Sequence, residues 1–412
     1  MSRQSEGDVR MRGFVSRETV ETAVAWVEAA TKPGPTERVP LDQAWGRTLA
    51  GDVVADMNVP GFDRSAMDGY AVRSGETIGA GDYNPVPFRV VGEALPGRAC
   101  EVTVHPGEAV RIMTGAPLPD GADAVVPAEY ARQENETVEL TLPVGQWKHV
   151  GRVGEDIAAG NVVLHSGRRL RPQDLGVLAS LGQDRVEVWK RPRVGILVTG
   201  NELVRPGQPR GEHQIYEANS AILRPLVERD GGALARVDFV DDDRDAIAAA
   251  LTKGDVDVVL VSGGSSVGAE DHAPGLLAEL GELAVHGIAM RPSSPTGMGR
   301  IGETVVFLLP GNPVSCLCAY DFFAGRAIRR LGGRPGEWPY RSLQAPLTRK
   351  ISSAIGRVDY CRVRRTDAGI EPLALSGASI LSSTTRADGF VVVPAGSEGA
   401  PPGTMVDVWL YD

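Results

Sequence analysis

The sequence has no run of about 18 apolar residues, which excludes a membrane-spanning helix. Its first 16 residues, MSRQSEGDVRMRGFVS, are polar and carry no apolar leader segment, so the protein is expected in the cytoplasm with roughly the first 13 residues disordered. A basic excess is also missing. Lys and Arg number 43 against 53 Asp and Glu, a net charge of −10, which argues against nucleic acid or an anionic membrane surface as partner. Cysteine is scarce: Cys100, Cys316, Cys318 and Cys361 form no CxxC pair, and buried reduced thiols are expected. On a helix, Cys316 and Cys318 would face different sides. The six histidines have no metal-ligand spacing, and no Ser-His-Asp set can be argued. Aromatics are few, at 5%.

Glycine and proline are plentiful instead, at 50 and 29 residues, which suggests tight turns and loop-built sites. With 412 residues the chain is too long for one core, so two to four domains are expected. RETVETAVAWVEAAT (17–31) has helical apolar spacing with acids near its start. From 52 to 148, short alternating runs such as PFRVVGEAL, EAVRIMTG and ETVELTLPV are divided by Gly, Pro and Asp, the pattern of an inserted β-rich domain. Residues 14–51 and 149–189 flank it as one discontinuous helix–strand domain, with a helix starting near Pro172. Between 190 and 333 the apolar strands VGILVTG, ARVDFVD, VDVVLVSGG and TVVFLLPG alternate with helices. This predicts a doubly wound, mostly parallel α/β domain. After the linker-like RPGEWPYR (334–341), residues 340–412 read as a small C-terminal β-domain.

In a doubly wound sheet, ligands sit beyond the carboxyl ends of the strands. SGGSSVGAED (262–271) falls there. Gly263, Gly264 and Gly268 let backbone N–H groups converge on an anion, Ser265 and Ser266 add hydroxyl donors, and a helix follows. LPGNPVS (309–315) is a second helix start, with Pro310, Asn312 as the expected N-cap, Pro313 in the first turn and Ser315 just inside. Glu202 in TGNEL, Asp242 in FVDDD and Asp271 lie at strand ends, where carboxylates near an anion pocket suit a divalent cation bridging to phosphate. FDRSAMDGYAV, containing Asp68, and RIMTGAPLPDGADAVV, containing Thr114, are dense turn motifs in the β-rich segment.

FDRSAMDGYAV, RIMTGAPLPDGADAVV, GEDIAAG, ILVTGNEL, SGGSSVGAED and LLPGNPVS, in this order, resemble the MoeA family of molybdopterin molybdenumtransferases, which includes the E domain of gephyrin. The resemblance runs from about residue 17 to 412. It implies an elongated helix–strand domain, an inserted β-domain, a MogA-like α/β domain and a C-terminal β-barrel. It further implies Mg²⁺-dependent hydrolysis of adenylylated molybdopterin, with insertion of molybdate into the dithiolene and release of AMP. Homodimers with shared active sites are implied, and a molybdopterin adenylyltransferase and molybdoenzyme maturation factors are expected as partners. By resemblance Asp68, Glu202, Asp242 and Asp271 match the functional acids, the last three as Mg²⁺ ligands. Thr114 matches a functional threonine, and Ser315 and Arg362 look like part of the molybdate side.

The sequence departs from the family pattern at HGIAMRPSSP (286–295). Three positions that often carry lysine in such proteins hold Gly287, Arg291 and Ser294, and a usual Gly-Ser aligns with Gly377-Ala378. Arg291 keeps the charge, and with Ser294 is expected on the substrate. The loss of up to two positive charges favours one alternative, a non-catalytic cofactor carrier on the same fold, which the retained acids oppose. A scaffold role like that of gephyrin, for which no appended partner-binding linker is present, and a relative acting on tungstate or another nucleotide-activated pterin are the others.

Overall fold

The computed structural model describes residues 17–264, 271–375 and 377–411. Ser265, Ser266 and Gly268, together with the first 13 residues, therefore lie outside the described residues.

The predicted first helix spans Val20–Ala30 and is capped by Thr19, whose hydroxyl accepts from the Thr22 amide. Val20, Ala23 and Val27 are its buried face. After it, Thr36–Pro40 pairs antiparallel with Arg185–Trp189. Val53–Val54 pairs with Val162–Leu164, and Arg64–Ser65 with Val150–Gly151. These two-stranded ladders carry the chain out to a six-stranded sheet and back. That sheet is ordered Ala124–Pro127, Gly69–Val72, Glu108–Ile112, Val86–Ala94, Thr137–Leu140 and Ala131–Glu134. The helix expected near Pro172 is Pro172–Ser180, and its first turn holds buried Asp174, which accepts from the Arg168 and Arg171 side chains.

The α/β domain is a six-stranded sheet. Its order is Ala233–Val240, Arg193–Thr199, Val258–Ser262, Thr304–Leu309, Gly297–Ile301 and Glu282–His286. The first four strands are parallel, and the last two add antiparallel. Alternation along the strands divides the core between two faces. Val194, Ile196, Val198, Leu260 and Phe307 face the helices Asn219–Arg229 and Pro313–Ala319. Leu197, Val259, Val261 and Leu308 face Arg244–Leu251 and Ala273–Leu280. Each such fully buried aliphatic side chain contributes roughly 1.5–3 kcal/mol before ordering costs. The first cluster also contains Val20, Ala23 and Val27 from the first helix, and Val358, Tyr360 and Phe390 from the C-terminal strands.

The chain leaves this domain through Pro313–Ala319, one π-helical turn at Tyr320–Ala324, and Gly325–Leu331. The π turn buries Asp321, whose carboxylate meets Arg229 at 3.1 Å and accepts from the Tyr340 hydroxyl at 2.9 Å. The C-terminal region is a third six-stranded sheet. Its ends meet at one isolated bridge, Leu347 with Ile370, so the ladder is not continuous around a barrel. Cys316, Cys318 and Cys361 are buried, Cys100 is partly so, and none is in a disulfide. Cys316 sits against Ser262 and Glu217 and Cys318 against Ser293 and Arg362, on the different sides expected, and burial pushes both thiols up. Among the described residues, no helix is long and apolar enough to cross a membrane.

Candidate active site

A cleft of about 570 Å³ opens beyond the carboxyl ends of the parallel strands. It sits where Arg193–Thr199 has its successor on one side and Val258–Ser262 on the other, the topological switch point of the sheet. Thr199, Gly200, Ser262, Gly263, Pro310 and Gly311 form its floor from three strand ends.

The floor is tight. A Cβ at Gly263 would lie 2.3 Å from the Thr199 carbonyl oxygen, and φ there is +100°, a conformation that glycine accommodates. The Gly263 amide donates to the Leu309 carbonyl at 3.3 Å, which nests the loop after one strand against the end of its neighbour. Asn312 is the N-cap of Pro313–Ala319 by backbone position, with Pro313 following, but its side chain makes no capping hydrogen bond. Ala378 of the C-terminal domain supplies a carbonyl to the Val314 amide instead, at 3.0 Å, and Ser379 lines the cleft beside it.

The walls are acidic. Glu202, Asp242 and Asp271 all line the cleft, as their positions at strand ends imply. Asp242 is held by a reciprocal pair with Asn201: the Asn201 amide donates to its carboxylate at 3.2 Å, and its own amide donates to Asn201 Oδ1 at 3.1 Å. Sequence reasoning missed a fourth carboxylate, buried Glu217, which accepts from the Ser220 amide and hydroxyl at 2.6 and 2.5 Å and so caps the helix Asn219–Arg229. Its signal was a Glu three residues before a Ser at a helix start. No Lys or Arg lines the cleft among the described residues.

Hard carboxylate oxygens suit Mg²⁺, which is bound through one or two carboxylates together with substrate phosphate and water. Glu202, Asp242 and Asp271 fit that role by chemistry and by sharing one cleft. They are not a preformed cage: among the described residues, no three His, Cys, Asp or Glu side chains converge into a metal cluster.

A second set of the expected residues lies behind the cleft, against the C-terminal domain. Ser293 is buried and donates to the Ser315 carbonyl at 2.6 Å. The Ser294 carbonyl accepts from the Ile288 amide at 2.8 Å, and its buried hydroxyl has no partner among the described residues. Arg362 is fully buried near Cys318. Arg291 reaches Asp359 at 2.5 Å, a carboxylate that also meets Arg357 at 3.2 Å and accepts from the Ser353 hydroxyl at 2.8 Å. The Arg291 guanidinium is thus held by a protein carboxylate that it shares with Arg357.

Asp68 and Thr114 are joined to each other but do not line this cleft. The Thr114 amide and hydroxyl both donate to Asp68 Oδ1 at 2.7 Å, and these bonds hold the exposed Asp68 carboxyl below its usual range. Gly287 lies at a turn with φ +89°, its carbonyl accepting from the Glu18 amide.

Three family regions cover the chain in the order of these units. Residues 18–182 match the MoeA N-terminal region (domain I and II), 195–330 a probable molybdopterin binding domain, and 344–411 the MoeA C-terminal region (domain IV). The molybdopterin molybdenumtransferase 2 of Mycobacterium tuberculosis is 38% identical over 382 residues, covering 90% of this chain and 94% of that protein. A molybdopterin molybdenumtransferase of Staphylococcus aureus is 31% identical over 387 residues, covering 92% of each. The crystal structure of the molybdopterin biosynthesis moeA protein from Pyrococcus horikoshii superposes with a TM-score of 0.82 at 31% identity, over 96% of this chain and all of that one. With its motifs, its cleft and these likenesses agreeing along the whole length, the chain belongs to the MoeA family of molybdopterin molybdenumtransferases.

Proposed function

We propose that the cleft takes adenylylated molybdopterin, that its adenylate is hydrolysed in the presence of Mg²⁺, and that molybdate enters the dithiolene as AMP leaves. The observation that carries this reading is the charge of the cleft. Four carboxylates and no described cationic side chain line it, so a phosphoanhydride enters only with its own counter-charge. Glu202, Asp242 and Asp271 would hold Mg²⁺, which when bound neutralises phosphate charge and polarises the scissile phosphoanhydride. The glycine floor lets phosphate oxygens come close to the backbone, and the acidic wall orients water against the phosphorus.

Ser315, Arg362, Ser293 and Ser294 form the side on which molybdate is received. Asp68 and Thr114 stand away from this cleft, which supports a site completed by the second copy of a homodimer. A molybdopterin adenylyltransferase would supply the substrate, and molybdoenzyme maturation factors would take the product.

Arg291 bound to Asp359 favours a second reading, a carrier that holds the pterin without turnover, because the one cation kept at the lysine positions is engaged by a protein carboxylate. AMP release from purified protein given adenylylated molybdopterin, Mg²⁺ and molybdate separates the two. Molybdate-dependent release that disappears in Asp271→Asn supports the transferase; tight binding without release supports the carrier.

A further inference from the structure

Among the described residues, two side-chain polar atoms of residues that line the cleft are buried and make no hydrogen bond. One is Asn219 Oδ1 and the other is Thr199 Oγ1. Both residues line the cleft, with relative exposures of 6% and 2%. Buried polar groups are nearly always satisfied, so two orphans on one cleft floor mark positions where a ligand completes the set.

The orientation of Asn219 is fixed by its neighbours. Its Nδ2 donates to the Gly311 carbonyl at 2.7 Å and to Ser262 Oγ at 2.8 Å. A backbone carbonyl only accepts, so the nitrogen must face Gly311 and the oxygen must face the other way. Asn219 Oδ1 is therefore a fixed acceptor. An ionised phosphate or a molybdate oxyanion offers no proton and cannot satisfy it; an N–H group can. Thr199 Oγ1 lies beneath the glycine turn, 3.1 Å and 3.0 Å from where Cβ atoms at Gly263 and Gly264 would stand. Its hydroxyl can donate or accept.

We infer that Asn219 is the residue that reads the heterocycle: its Oδ1 accepts from a ring-borne amino group of the substrate, while the Thr199 hydroxyl makes a second hydrogen bond to the same ligand. This rests on the reading of the cleft as the site for adenylylated pterin. Both halves of such a substrate carry an amino group, adenine at its 6-position and pterin at its 2-position. The shared chemistry is an amino N–H, and paired ligands distinguish the sources.

The test measures Kd by calorimetry on the full chain with Mg²⁺ present. One arm compares AMP with purine ribotide, which lacks the 6-amino group; the other compares pterin-6-carboxylate with its 2-deamino analogue. Stranding the buried acceptor should weaken binding by roughly five- to a hundredfold in one arm. The arm that discriminates names the base held at Asn219. Equal affinity within both pairs overturns the inference while leaving the cleft's function intact. Failure of all four ligands to bind overturns the functional reading as well.

Thr199→Val provides an independent check that does not risk the fold. Replacing an unpartnered buried hydroxyl by a methyl leaves thermal stability unchanged or raised, because nothing is broken in the free protein. Affinity for the discriminating ligand should nevertheless fall by roughly fivefold or more. Unchanged affinity in Thr199→Val would remove Thr199 from the proposal.

Discussion

Arg291 and Asp359 stand 68 residues apart in the chain, and meet at 2.5 Å across the boundary between the α/β and C-terminal domains. This pair explains why an arginine where the resemblance leads one to expect lysine need not act as one. A guanidinium matches a carboxylate in a planar fork and is held by it, whereas a lysine ammonium at the same place is a compact point charge. Oxyanion affinity should therefore be limited by missing charge. Introducing Ser294→Lys is expected to tighten molybdate binding by roughly tenfold, the scale of one charge-assisted hydrogen bond. Titration with molybdate checks it, and no change would mean that charge is not what limits this side.

The acidic cleft makes nucleotide binding depend on the cation. AMP affinity should drop by at least about tenfold when Mg²⁺ is removed with EDTA, since phosphate then meets uncompensated carboxylates. Glu202→Gln combined with Asp242→Asn should shrink that dependence while preserving some binding. A cation-independent Kd in the unaltered protein would contradict the assignment of these acids.

Gly263 has no room for a side chain. Gly263→Ala would press a methyl onto the Thr199 carbonyl, 2.3 Å away, at a positive φ. A cost of roughly 2–3 kcal/mol is expected, combining strain and overpacking. Urea unfolding measures this directly, and AMP release should fall more than stability does because the floor itself is displaced.

Separation of Asp68 and Thr114 from the cleft predicts complementation. Asp68→Asn and Asp271→Asn should each be inactive alone. Mixed and reassociated one to one, half of the dimers would carry both changes on opposite chains, so about a quarter of wild-type sites would be whole if each site takes Asp68 from one copy and Asp271 from the other. Activity that stays at the background of the two variants after mixing would show that sites are not shared.

Buried Asp321 gives a pH signature. Burial raises its carboxyl to about 6 from an ordinary 3.8, with Arg229 opposing the rise and Asp230 adding to it. The folded chain thus holds this proton more tightly than the unfolded one. The stabilisation from it is full below about pH 3.8 and is lost as pH climbs through about 6. Relative to Asp321→Asn, the stability of the unaltered protein should decline by up to about 3 kcal/mol from pH 4 to 7. Denaturant midpoints taken across that window decide the matter, and a flat difference would count against it.

The parallel strands were legible because burial on both faces leaves runs such as VGILVT and VVLVS with almost no polar residue. The antiparallel pair Glu282–His286 and Gly297–Ile301 was not. A Cβ at Gly299 would stand 1.8 Å from the Glu282 carbonyl, so close approach demands the glycines that erase a strand's usual pattern. Glu202, Asp242 and Asp271 declared themselves by position at strand ends. Asn219 and Thr199 did not, because an Asn at a helix start and a Thr at a strand end are ordinary; only the lack of a partner for Oδ1 and Oγ1 among the described residues singles them out. The partner of Arg291 was also beyond reach, since no local spacing links it to Asp359.

The first helix and the last strands bury their apolar faces in the same cluster as one side of the α/β sheet. Residues 190–333, cut out alone, would carry a bare greasy surface where Val20, Ala23, Val27 and Phe390 had stood. During synthesis the first helix is already made, but the part of that surface under Val358, Tyr360 and Phe390 stays uncovered until those strands emerge, so the unit that holds the cleft is completed by segments made before it and after it.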